Sequence, residues 1–170
     1  MAKLDDIIRR KAEDYQSTQR RVDWTSRRTR WIREVDQLFT TITQWVQPHI
    51  ENHVVTVQRN MMPLTEQYLG TYDIAWLRVL IAGETVTLLP KATLIVGACG
   101  RVDMKGPDGE VMFVLQDPRD VGKGTPPNID WNRDRLVWQI PRRAGSRVEY
   151  IDLTQDTFAL SLEQVFQKTV

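Results

Sequence analysis

The stretch WIREVDQLFTTITQWVQPHIENHVVTV, residues 31–57, changes its apolar period from that of a helix to that of a strand. Within it Trp31, Val35, Leu38, Ile42, Trp45 and His49 follow at alternating spacings of four and three, flanked by Ile32, Phe39 and Val46. That is a broad apolar stripe along one side of a helix. Pro48 cannot continue a helix interior, so the end is expected within residues 47–51. Beyond His53 the period becomes two, with Val55 and Val57 on one face.

Upstream, no glycine or proline occurs between Lys3 and Pro48. The first turns hold a different phase, with Leu4, Ile8, Lys11 and Tyr15 on one line. The two phases meet within residues 17–26, where Ser, Thr and Asp23 supply capping side chains. One long kinked helix and two consecutive helices both satisfy this pattern.

Downstream, Ala75, Leu77, Val79 and Ile81, then Val86 and Leu88, then Leu94, Val96 and Ala98 each line one face of an expected strand. Residues 74–81 are apolar on both alternations apart from Arg78, as in an interior strand. Residues 82–84 and 106–109 carry hairpin chemistry. Residues 117–133, with three prolines and two glycines, read as a long exposed loop. Leu136, Trp138 and Ile140 resume the alternation, a turn is expected over residues 141–146, and a strand over residues 147–152. Thr154 then caps a terminal helix that places Phe158, Leu162, Val165 and Phe166 on one face. The expected class is α+β: an N-terminal long helix or helix pair, an antiparallel sheet or partly closed barrel of about six to eight strands, and a C-terminal helix. The expected division is a helical arm over residues 1–33 and an α+β domain over residues 34–170, whose docking helix spans about 34–50.

The 170 residues suffice for one core, and 41% apolar with 26% charged residues is ordinary globular composition. A net charge of +1 supplies almost no global field, so attraction to a polyanion would need local clustering. Cys99 is the only cysteine, which rules out an internal disulfide framework. The first fifteen residues contain no apolar secretory core, and residues 74–82 are too short to cross a bilayer. A cytoplasmic protein without membrane attachment is expected.

Residues 20–33 hold six arginines against Asp23, and the Arg-Arg and Trp signals recur after seven residues at Trp24 and Trp31. Arginine would neutralise phosphates and tryptophan would stack on bases. The same spacing returns both indoles to one helix side, in line with Leu38 and Trp45, as packing anchors flanked by arginine stems. The reading favoured is protein contact: Trp24, Arg27, Arg28, Arg30 and Trp31 on a projecting arm that meets another protein or a second copy.

Other chemical signals are short. His49 and His53 have i, i+4 spacing, but Pro48 precedes them and the HExxH pattern is absent. Cys99 lies between Gly97 and Gly100, a context that suits a small buried side chain as well as a thiol nucleophile. Asp103 and Lys105 share one face of an expected strand, as a metal-dependent nuclease or a surface ion pair would require. Residues 122–125, Gly-Lys-Gly-Thr, fail the phosphate-loop spacing. No cofactor or metal is implied. The expected function is a non-catalytic assembly module. Its alternative is a nucleic-acid-binding protein with nuclease chemistry, and a third reading is a small-molecule pocket around Trp76, Trp131 or Trp138.

Overall fold

A computed structural model describes residues 3–126, 129–166 and 168. Pro127 and Asn128, within the expected loop, lie outside the described residues. Helix α1 spans Leu4–Arg21 and helix α2 spans Trp24–Glu51. Of the two arrangements the sequence allowed, two consecutive helices is the one formed. Val22 is extended, and the Asp23 side chain accepts the Ser26 backbone N–H at 3.0 Å, starting the second helix. The break therefore falls at residues 22–23, within the 17–26 span where the two phases meet.

Helix α2 buries Arg27, Arg30, Trp31, Glu34, Val35, Leu38, Phe39, Ile42 and Val46 along its stripe. Pro48 occupies its last turn, and His53 lies beyond its end with φ of 60°.

Seven strands follow, β1 (Val55–Glu66), β2 (Gly70–Ile81), β3 (Glu84–Ala92), β4 (Gly100–Gly106), β5 (Gly109–Gln116), β6 (Val137–Ala144) and β7 (Arg147–Asp152). Each pairs antiparallel with the next, in the order β1-β2-β3-β4-β5-β6-β7, so the sheet is an open meander rather than a barrel. Local connection explains this order, because short turns bring sequence neighbours together before any long-range pairing is needed. Ala82 and Gly83 both have positive φ, as a two-residue hairpin turn demands, and close Ile81 onto Glu84. Pro63 sits in the edge strand β1, where a missing N–H costs no ladder bond on the outer side.

Two expectations about strands change. Residues 94–98 form only an isolated bridge, Ile95 with Ala98, because Gly97 turns at φ of 83° and leaves Val96 fully exposed. Residues 141–144, expected as a turn, continue β6 and pair with β7. Pro141 is tolerated there since β5 pairs with β6 only over residues 137–139, leaving one side of Pro141 without a ladder partner.

Helix α3 spans Gln155–Val165. The expected Thr154 cap is present, with Thr154 and Thr157 exchanging side-chain to backbone hydrogen bonds. Helix α2 packs on β1 and β2, and α3 on β4 and β5. Phe158 joins the two, its ring 5.5 Å from Trp45 and 6.5 Å from Phe113. The chain passes especially close to Trp31 at Gly100, where a Cβ would come within 2.4 Å of the indole.

The segment after β5, expected to be exposed, is partly folded into the body. Trp131 and Asp117 are buried. Arg119 donates to both Asp117 and Asp134, and Asp134 accepts the Asp130 backbone N–H at 2.8 Å. The Arg119 side chain holds the Asp117 carboxyl below its ordinary value of 3.8, against the opposing effect of burial. A lowered folded value makes the Asp117 contribution complete above about pH 4 and lost as pH falls through that lowered value. Asp117→Asn is therefore expected to destabilise the protein at neutral pH, with the difference from wild type closing as the pH falls below about 4 in acid titrations of stability.

Candidate functional site

The five residues expected to meet a partner all lie in the first two turns of α2, and the structure turns most of them inward. Trp31 has no exposed surface; it packs on Gly100 and lies 6.1 Å from the Trp138 ring. Arg27 is buried, with Nε donating to Thr93 Oγ1 at 3.0 Å and Nη2 to the Thr93 carbonyl at 2.5 Å. Its guanidinium also covers the Trp131 ring at 4.7 Å. Arg30 is buried against Glu34, Nε to Oε1 2.7 Å, and donates to the Trp131 carbonyl at 3.1 Å. These three side chains are buried within their own chain, where they stabilise its fold instead of facing outward. Long-range partners supplied by residues 93 and 131 make the difference; neither is visible from local spacing.

Trp24 and Arg28 occupy the boundary. Arg28 is half-buried and donates to the Leu69 carbonyl at 3.2 Å. Trp24 stacks on Tyr68 at 4.8 Å, and Tyr68 stacks in turn on Tyr15 of α1, also at 4.8 Å. Tyr68 adopts φ of 68° in the β1–β2 turn to stand between them. This three-ring column ties α1 to the body.

Helix α1 itself buries none of its residues. Leu4 is 70% exposed, Ile7 50%, Ile8 57% and Tyr15 38%. Leu4, Ile8 and Tyr15 were legible as one line, together with Lys11; Ile7 widens it. Between this side and the β1–β2 turn runs a groove of about 640 Å³, lined in part by Ile7, Ile8, Ala12, Tyr15 and Gln67. The first turn of α1 is acidic, Asp5 and Asp6, and the last is basic, Arg20 and Arg21. Each sign is placed favourably for its own helix dipole.

The remaining chemical candidates lie elsewhere and do not converge. Both oxygens of Asp103 are engaged by Arg101, at 2.6 and 2.9 Å, while Lys105 points to solvent on the same strand. Cys99 is buried, and burial raises its thiol pKa against weaker lowering from Thr125; that favours the protonated form. The helix ends before His53, which removes the helical geometry that would align it with His49. Lys123 lies 3.8 Å from Asp120 in a turn where Gly122 and Gly124 have positive φ. Among the described residues no three His, Cys, Asp or Glu side chains gather as a metal site. No described helix is long and apolar enough to cross a membrane. No family model, curated protein or solved structure matches this chain.

Proposed function

We propose that this chain is a non-catalytic assembly module that joins a second copy of itself through α1, the two helices packed antiparallel. The observation that carries the reading is an 18-residue amphipathic helix with no buried residue. A helix of that length is marginal in water by itself, and most helices in proteins gain their stability by packing an apolar side. The Tyr15 contact with Tyr68 ties α1 to the body while leaving every residue of the helix short of burial. A second α1 laid along Leu4, Ile7, Ile8 and Tyr15 would remove that apolar side from water in both copies.

The charges argue for the orientation. Antiparallel packing sets Asp5 and Asp6 of one copy beside Arg20 and Arg21 of the other, whereas parallel packing would set like against like. A two-fold axis repeats each contact, so every favourable pair counts twice. Residues at the helix ends then select orientation and speed encounter, while the aliphatic side supplies affinity.

The experiment uses two full-length variants, Asp5→Lys/Asp6→Lys and Arg20→Glu/Arg21→Glu. Each alone is expected to associate about tenfold more weakly than wild type in sedimentation equilibrium. Mixed in equal amounts, they should recover association, since every reversed charge meets a reversed partner. Unchanged association of both separate variants, or failure of the mixture to recover, would contradict antiparallel pairing through α1.

A further inference from the structure

Beneath the junction of α1 and α2 lies a second groove of about 600 Å³, lined by Val22, Arg27, Thr125, Pro126, Ile129 and Trp131, with Arg21 and Asp23 at its rim. It shares no lining residue with the α1 groove described above. Its distinctive member is Arg27. A buried guanidinium ordinarily faces a carboxylate, because desolvating a charge without a counter-charge is expensive. Arg30, equally buried one turn on, has Glu34. Arg27 has no carboxylate within ion-pair distance among the described residues.

Its hydrogen bonds go instead to neutral oxygens. Nε and Nη2 donate to Thr93, and Nη2 also reaches Thr125 Oγ1 at 3.3 Å. Nη1 has no hydrogen-bond partner among the described residues, although the side chain lines the groove. Behind Thr93 stands Glu66, but its Oε1 accepts the backbone N–H groups of Thr93 and Leu94 at 2.8 and 3.0 Å, and its Oε2 accepts the Tyr72 hydroxyl. Glu66 therefore balances Arg27 only across the Thr93 backbone. Asp23 faces the groove rim, but one of its oxygens caps Ser26. Desolvation lowers the Arg27 pKa, the direction expected for a cation short of a direct counter-charge.

We propose that this groove binds a small monocarboxylate with an apolar or aromatic body, the carboxylate meeting Arg27 and the body lying against Pro126 and Ile129. Two cations and one anion around the groove leave a single positive charge, which matches a monoanion better than a phosphate dianion. A charge-assisted bond to a guanidinium pre-positioned over the Trp131 ring would give the orientation. Apolar lining would supply the rest of the affinity.

The probe is benzoate, titrated into the full-length protein while the tryptophan indole N–H resonances are followed by NMR. Benzylamine, of similar shape and opposite charge, and inorganic phosphate are run in parallel. Benzoate is expected to shift the Trp131 resonance saturably within about 10 mM, and benzylamine to leave it unmoved. Arg27→Gln should abolish the shift. Because that variant could also lose stability, Thr125→Asp is the second arm. It places a carboxylate on Arg27 from within the chain and should weaken benzoate binding at least tenfold while the fold is retained. Absence of a saturable benzoate shift, equal response to benzylamine, tighter binding of phosphate, or wild-type affinity in Thr125→Asp would each overturn the proposal.

Discussion

Trp31→Ala is expected to destabilise the folded chain by about 3–5 kcal/mol, the range for removing a large aromatic side chain from a packed interior. The indole is fully enclosed, and Gly100 has no side chain because the ring occupies that space. Alanine would leave a cavity between α2, the start of β4 and Trp138, and neighbouring strands held by their own ladders could collapse into it only in part. Since a domain of this size is stable by only about 5–15 kcal/mol, the urea midpoint should fall steeply. An outward-facing anchor would behave differently: its loss would reduce association and leave the unfolding midpoint within about 0.5 kcal/mol. Equilibrium unfolding at a protein concentration low enough to suppress association distinguishes the two.

Glu34→Ala is expected to cost about 3 kcal/mol, for a different reason. Glu34 and Arg30 are both about nine-tenths buried, and their ion pair at 2.7 Å is shielded from water and salt. Removing the carboxylate strands the Arg30 guanidinium with, among the described residues, the Trp131 carbonyl alone as its hydrogen-bond acceptor. The Coulombic gain disappears while the desolvation cost persists. The double variant Arg30→Met/Glu34→Leu tests that explanation, because replacing both charges with apolar groups of similar size removes the stranded cation. It should recover most of the loss. Equal destabilisation in the single and double variants would mean that packing rather than charge sets the cost.

Much of the fold was legible from period and turn chemistry. The stripe through Val35, Leu38, Ile42 and Val46 lies buried in α2, and the Thr154 cap starts α3. The turn at residues 82–83 joins two antiparallel strands, as its residues suggest. Each of these rests on interactions within a few positions in sequence. The failures rest on distant ones. Arg27 and Arg30 read as solvent-facing because a charged side chain is costly to bury without partners, and those partners lie at Thr93, Thr125 and Trp131. Residues 94–98 alternated like a strand, yet no neighbouring chain was placed to pair with them and Gly97 reversed the direction. Trp131 sat among prolines and glycines, where the surrounding turn signals concealed a buried ring.

The same distinction applies to α1 and α2. Leu4, Ile8 and Tyr15 share one line in the sequence, a weaker signal than the Trp and Arg repeat that follows it. The heptad repeat was a real helical signal. Its apolar members pack against their own chain, Trp31 on the sheet and Trp24 on Tyr68, while the weaker stripe before it remains open to water.

Sedimentation equilibrium of the full-length wild type and of Ile8→Glu tests the proposed association most directly. Ile8 is 57% exposed, so the substitution spares the fold while placing a charge within the proposed contact. The wild type is expected to rise with concentration from 19.8 kDa towards twice that mass, and Ile8→Glu to remain at 19.8 kDa over the same range. A wild type that stays monomeric throughout, or an Ile8→Glu variant that associates as strongly as wild type, would contradict the account.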